Sequence, residues 1–518
     1  MGRVGSFSIV APTGTSPAEA LFQGKHCDTQ LRMWVMPRSP ERGTTRVKSP
    51  RSGERGYGGS PAVGQECPTY MPGTTRMNNH LQPGVCIPSH HAVSRRGFLS
   101  DGAARLAGTA GVAGCFAADM GQVHALRSEE LTGELKKQDK KVILLWLAGG
   151  ASQLETWDPK PGAKTGGPFR AIQTNSTGVH ISELLPELAQ RMQHTAIIRS
   201  LNTKIADHGR GADLVETGRM KDPGILYPDL GAVVARELGR LESKVPDYVS
   251  LYTSTEGRRK GTSGFLGARY APMFLSESMI PPNISRLEAV SAIDHNDRAA
   301  LREVLGRRFA EARRSASVDS HNAAYQRVQG LMASADLFDI TKEPADVQAR
   351  YGPTQFGHQC LIARRLIEAG VPFVKVARAW WDSHGQNFET HQELCADLDH
   401  SMSVLLDDLE QRGLLKNTLV ITLGEFGRTP QINASLGRDH FASAWSCSLS
   451  GLGIRGGVAY GKTDPEGQTV VEGEASAGDL FATILSALGI DYKHEYIVGV
   501  RPVPLADFGS KPIAEVLA

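Results

Sequence analysis

Read from residue 139 onward, the chain alternates short apolar runs with segments of helical period. Lys141 to Leu147 is a continuous apolar stretch that ends in Ala148-Gly149-Gly150, which predicts a buried strand opening into a loop. Leu184 to Met192 predicts a helix, Thr195 to Arg199 a strand, and Asp207 to Thr217 a helix closed by Gly218. From about 285 to 350 the residues are rich in Ala, Arg, Glu and Leu with few β-branched runs, and predict a helical insertion on the side of the core. Leu361, Ile362, Leu366 and Ile367 then line one helical face, Gly370 ends that helix, and Pro372 to Val376 is the next strand. Leu394, Leu398, Met402, Leu405 and Leu409 recur at three- or four-residue spacing, a second amphipathic helix. Gly413 precedes the strand Thr418 to Leu423. Such alternation predicts an α/β fold, a mostly parallel central sheet with crossover helices on both faces. Ligands of such sheets bind beyond the carboxyl ends of the strands, so the loops there carry the candidate chemistry.

The first 93 residues differ. They are rich in Gly, Pro, Ser, Thr and Arg without apolar periodicity, and are expected to be a disordered extension, with translation starting later, for example at Met77. Ser94-Arg95-Arg96-Gly97-Phe98-Leu99-Ser100 and the small-residue run from Gly102 to Ala118 follow. The pattern over 94–125 resembles a twin-arginine signal peptide, with Arg95 and Arg96 as its pair and cleavage expected after Val123-His124-Ala125. That export machinery would be a partner, and the mature protein periplasmic or secreted. Val112-Ala113-Gly114-Cys115 also resembles a lipoprotein box, which would make Cys115 a lipid anchor.

A net charge of +2 and 22% charged residues give no reason to expect nucleic acid as a partner. No stretch approaches about 20 uninterrupted apolar residues, so no transmembrane helix is expected. Of seven cysteines only Cys360, Cys395 and Cys447 lie in the α/β region, which permits one bridge at most.

Three strand-end loops are rich in metal-capable side chains. The strand at 372–376 leads into Trp380-Trp381-Asp382-Ser383-His384, the strand at 418–423 into Gly424-Glu425-Phe426-Gly427-Arg428, and Gly437-Arg438-Asp439-His440-Phe441 follows shortly after. Carboxylates and imidazoles converging from separate loops fit a divalent ion, zinc where imidazole dominates and calcium or manganese where oxygen does.

Here the chain resembles a known family. The stretches GGASQLETWDPKPG (149–162), RSLNTKIADHGRGADLVETGR (199–219), GFLGARYAP (264–272), WDSHGQNF (381–388), GEFGRTPQIN (424–433), GRDHF (437–441) and GRPVPL (499–505, with Val500 interposed) resemble the planctomycete-type DUF1501 proteins of unknown function. Those proteins belong to the alkaline phosphatase-like and sulfatase-like superfamily. The resemblance implies that fold over 139–518, with one or two divalent metals at the C-terminal edge of the sheet. Asp382 and His384 would be ligands, Glu425 would stand where relatives place an Asp, and His440 would close the site. It implies a hydrolase-like protein acting on a small-molecule or polysaccharide phosphate or sulfate ester. The alternative is a non-catalytic cell-envelope or polysaccharide-binding protein on the same scaffold.

The chain departs from the hydrolase pattern in three places. Where relatives carry a nucleophile at a helix N-terminus, it has Ala206-Asp207-His208-Gly209-Arg210, without hydroxyl or thiol; Ser200 and Thr203 lie upstream. His208 is therefore the candidate nucleophile or ligand, Asp207 a ligand or a helix cap, and Arg210 a substrate contact. The sulfatase signature C/S-x-P-x-R is absent. The first strand lacks the usual Asp directly after it; Gln153, Glu155 and Asp158 follow, of which Glu155 is the expected ligand and Asp158 a turn residue. Arg428 and Arg438 are expected either to neutralise an anionic substrate or to support their loops through ion pairs.

Overall fold

Buried on both faces, a strand in the middle of a parallel sheet needs an unbroken apolar run, and Lys141–Leu147 supplies one. The computed structural model describes residues 124–125 and 129–518, apart from 241–242, 244, 252–260, 277–278, 282–283 and 313–315. The expected extension over 1–93, the Arg95-Arg96 pair and Cys115 lie outside the described residues. At the expected cleavage point, His124 and Ala125 pair antiparallel with Ile497 and Tyr496.

The central sheet has eight strands: β1 Lys141–Leu147, β2 Thr195–Leu201, β3 Tyr248–Leu251, β4 Met273–Leu275, β5 Phe373–Arg378, β6 Thr418–Leu423, β7 Trp445–Gly451 and β8 Val458–Tyr460. Their order is β8-β2-β7-β6-β1-β5-β3-β4. All are mutually parallel except β7, which runs antiparallel to both neighbours, β2 and β6. The principal helices are α1 His208–Thr217, α2 Leu230–Leu238, α3 Ala292–Ala312, α4 Ala316–Ala333, α5 Gln355–Glu368, α6 Asn387–Gln411 and α7 Ala477–Ala487.

The period of two along β1 divides the core. Val142, Leu144 and Trp146 pack on one side with residues of α1, α2 and α7. Ile143, Leu145 and Leu147 pack on the other with α5 and α6. The sheet is thus covered on both faces, as its sequence pattern predicts. The helical stretch over 285–350 resolves into α3, α4 and a short helix at Ala345–Arg350. Cys360, Cys395 and Cys447 are free and buried. Among the described residues no helix is long and apolar enough to cross a membrane.

Local signals set the helix that matters most. Asp207 caps α1, its side chain accepting from Arg210 N at 2.9 Å. Gly218 ends it at φ 69°, where a Cβ would sit 2.5 Å from Phe481 Cβ; only glycine meets both demands. α1 therefore starts at the C-terminal edge of the sheet, beside the loops that follow β1, β5 and β6.

Candidate metal centre

Asp382, four residues beyond β5, is the hub. Its Oδ2 lies 3.1 Å from His208 Nε2, and its Oδ1 lies 3.1 Å from both His440 Nε2 and His384 Nε2. His208, the first residue of α1, also places Nδ1 2.7 Å from Glu425 Oε1. His440 comes from the hairpin pairing 427–428 with 440–441, which leads into the antiparallel strand β7 and so returns to the same edge. His208, Asp382 and His440 each offer a ligand atom within 4.8 Å of the others.

The outer ring nitrogens fix the protonation of two imidazoles. His440 Nδ1 is 3.0 Å from the Ala206 carbonyl, and His384 Nδ1 is 2.7 Å from Asp439 Oδ1. Both partners only accept, so both Nδ1 atoms carry protons and, in the neutral rings, both Nε2 atoms present lone pairs. Those Nε2 atoms stand 3.0 Å apart, facing the same carboxylate oxygen. Two lone pairs and a carboxylate oxygen converging on one point suit a cation between them. Glu425 adds to the demand: its Oε1 accepts from Gly149 N at 3.0 Å, while its buried Oε2 has no hydrogen-bond partner. The donor set of two imidazoles and carboxylates fits a divalent ion such as zinc.

Burial disfavours the Asp382 carboxylate, but its close partners His208, His440 and Arg428 outweigh it and hold its pKa well below the carboxylate range. Burial likewise disfavours the His208 cation, yet its bonds to Asp382 and Glu425 raise its pKa to about 9. Asp439 is shifted downward, chiefly by its bond to His384.

Not every expected residue joins the cluster. Arg428 is fully buried and spends its donors inside the protein. It reaches Gly150 O at 2.9 Å, Arg438 O at 3.2 Å, Gly149 O, and Asp382 Oδ1 at 2.6 Å. It aims Asp382 and ties three loops together. Arg438 and Glu155, both fully buried, pair with each other at 2.8 Å, and Arg438 also donates to Thr165 O at 2.8 Å. Neither contacts the cluster, because each satisfies the other's charge. The carboxylate of Asp207 serves as the cap of α1, and Arg210 is exposed on the wall of a neighbouring open cleft of about 640 Å³. Asp158 closes the turn that starts at Gln153, with its N donating to Gln153 O at 2.8 Å, and its buried carboxylate accepts from Lys160 at 3.0 Å and from Thr463. Ser200 Oγ donates to Gly473 O, and Thr203 Oγ1 accepts from Trp445 Nε1 at 3.2 Å. Among the described residues, no hydroxyl or thiol hydrogen-bonds to the side chains of Asp382, His208, His384, Glu425 or His440.

Three contributors were missed in the sequence. Asp439 orients His384, the Ala206 carbonyl orients His440, and Gln153 holds Arg428 by exchanging bonds with its backbone N and O at 3.0 and 2.7 Å. The adjacency of Asp439 to His440 was the available signal for the first. A backbone carbonyl has no sequence signature.

Solved structures matched by the chain include a PsFucS1 sulfatase from Pseudoalteromonas sp., at 11% identity over 71% of this chain and 73% of that one, with a TM-score of 0.34. A protein in the alkaline phosphatase superfamily from Vibrio parahaemolyticus matches at 12% identity over 73% and 70%, with a TM-score of 0.30. The phosphonate monoester hydrolase of Agrobacterium radiobacter matches at 12% identity over 73% and 77%, with a TM-score of 0.30. No curated protein matches. The family model described as a protein of unknown function, DUF1501, matches residues 139–517, and the chain belongs to that family.

Proposed function

We propose that this protein is an alkaline phosphatase-like, metal-dependent hydrolase of phosphate or sulfate esters, exported by the twin-arginine route to the periplasm or beyond. The observation that carries the reading is the convergence of His384 Nε2, His440 Nε2 and Asp382 Oδ1 at about hydrogen-bond distance, with both imidazole lone pairs turned inward. Asp382, His384 and His440 would hold the ion, with Glu425 and His208 beside it. When bound, a divalent ion supplies Lewis acidity towards a phosphoryl or sulfuryl oxygen.

The chain's own residues do the rest. Arg428 holds Asp382 in place, and Asp439 with the Ala206 carbonyl fixes the two imidazole tautomers. His208 holds a proton between Asp382 and Glu425 and is placed to deliver it to a leaving group. With no side-chain hydroxyl or thiol among the described residues bonded to the cluster, attack by water is the form of hydrolysis this arrangement supports. The same feature favours a second reading, a non-catalytic cell-envelope or polysaccharide-binding protein on this scaffold.

Elemental analysis of the purified protein beside His384→Ala and His440→Ala tests the metal centre. Stoichiometric zinc or manganese in the wild type, lost from both variants, is the expected result; full retention by either variant refutes the assignment. A panel of phosphate and sulfate esters then separates the readings, since metal without turnover of any ester supports the binding protein. The motif Ser94 to Ser100 supports export. Residues 77–130 fused to a folded reporter should be translocated, and replacement of Arg95-Arg96 by Lys-Lys should stop it.

A further inference from the structure

Helices in proteins draw most of their stability from packing an apolar face, yet α3 leaves its own uncovered. It runs for 21 residues, none of its described residues is buried, and Leu301, Val304 and Leu305 are 60%, 41% and 56% exposed. One side of it meets α4. The Arg302 guanidinium lies over the Tyr325 ring at 3.6 Å, and a Cβ at Gly306 would sit 3.2 Å from Asn322 Oδ1. α4 in turn is tied to the body by Arg327 Nη2, 3.3 Å from Asp247 Oδ2.

The opposite side of α3 has a pattern of its own. At about 100° per residue, Asp297, Leu301, Val304 and Arg308 fall within about 60° of one another and point away from Arg302 and Gly306. Their spacing of four, three and four residues is that of a helix–helix seam. All four are exposed, and neither Asp297 nor Arg308 has an ion-pair partner among the described residues.

Along this seam the order is acid, apolar, apolar, base, which complements itself when reversed. Laid antiparallel on a second copy, with a two-fold axis midway between positions 301 and 304, Leu301 of one copy meets Val304 of the other. Asp297 then meets Arg308, and each contact is made twice. A parallel pairing would instead set Asp297 on Asp297 and Arg308 on Arg308. We propose that this protein dimerises about a two-fold axis through antiparallel pairing of α3 from two copies. The proposal is independent of the metal centre. Two helices of this length bury less than the about 1,600 Å² of a standard interface, so the dimer is expected to be of micromolar strength.

Sedimentation velocity of the full chain from about 1 to about 100 μM should show a monomer–dimer equilibrium. Asp297→Arg and Arg308→Asp each place like charges at both 297–308 contacts, and each alone should weaken association at least about ten-fold. Mixed in equal amounts, the two variants again join opposite charges at both contacts and should form a heterodimer of about wild-type strength. Both positions are exposed, so each variant should keep the wild-type melting temperature. A wild type that stays monomeric at about 100 μM overturns the proposal. So does a dimer indifferent to either substitution, or a mixture that associates no better than the variants alone.

Discussion

Arg428 separates two accounts of the site most sharply. A substrate-binding arginine can be replaced at the expense of KM with little effect on stability. A strut that holds loops together cannot. In Arg428→Met the side-chain volume is largely kept, but Gly149 O, Gly150 O and Arg438 O lose a buried donor and Asp382 loses its guanidinium. Each orphaned carbonyl costs about 1 kcal/mol, the low end of the usual range, because Asp382 is 30% exposed and water can enter from that side. The broken charge pair adds about 1 kcal/mol, discounted for the same exposure. The expected loss is therefore about 4 kcal/mol out of the about 5–15 kcal/mol typical of a domain. Arg428→Lys, which reaches one or two of these acceptors, should lose about half as much. Urea denaturation followed by tryptophan fluorescence measures both, and metal content measures the loss of aim on Asp382. A stability change below about 1 kcal/mol in Arg428→Met would refute the strut and restore the anion-binding role.

Gly231→Ala should destabilise by about 1–3 kcal/mol, because the new Cβ would lie 2.4 Å from Tyr248 Cζ and 2.8 Å from Phe373 Cδ1, two rings already packed edge to face; an unchanged melting temperature would contradict this packing. Asp399 is buried and accepts from Glu187 N and Leu188 N at 2.9 and 2.8 Å, and burial raises its pKa to about 6 against those bonds. Being raised on folding, its contribution is complete below about pH 4 and is lost as pH rises through 6, a swing of up to about 3 kcal/mol. Asp399→Asn should flatten that part of the stability profile, as measured by denaturation at pH 4, 5, 6 and 7. Zinc at about a thousand times its dissociation constant should raise stability by about 4 kcal/mol, seen as a higher melting temperature reversed by chelator; no shift would count against the metal centre.

Much of the architecture is legible along the chain. β1, β5 and β6 announce themselves as apolar runs with glycine after or before them, and α5 and α6 as helical stripes, because burial on both faces leaves few alternatives for residue type. Four strands left weaker traces. β3, β4 and β8 are only four, three and three residues long, and β7, Trp445-Ser-Cys-Ser-Leu-Ser-Gly, alternates with serines that hydrogen-bond to Thr195 and Thr422 inside the sheet. Such internally satisfied polar positions look like a solvated edge from sequence alone.

Within the site, loop position together with the family resemblance pointed to Asp382, His384, Glu425, His440 and His208, and the fold places all five together. It also decided what sequence could not. Glu155 and Arg438 are 283 positions apart and find each other in the interior, so a candidate ligand and a candidate substrate contact became one ion pair. Arg428 turned inward because three loop carbonyls and a carboxylate surround it. The left-handed turn at Trp380 sends one of two adjacent indoles into the core and the other to solvent. Local period and propensity determine which segments become strands and helices, since burial acts on each segment's own pattern. Partnerships between loop tips depend on crossings set by strand order, and that order exists only once the sheet has formed.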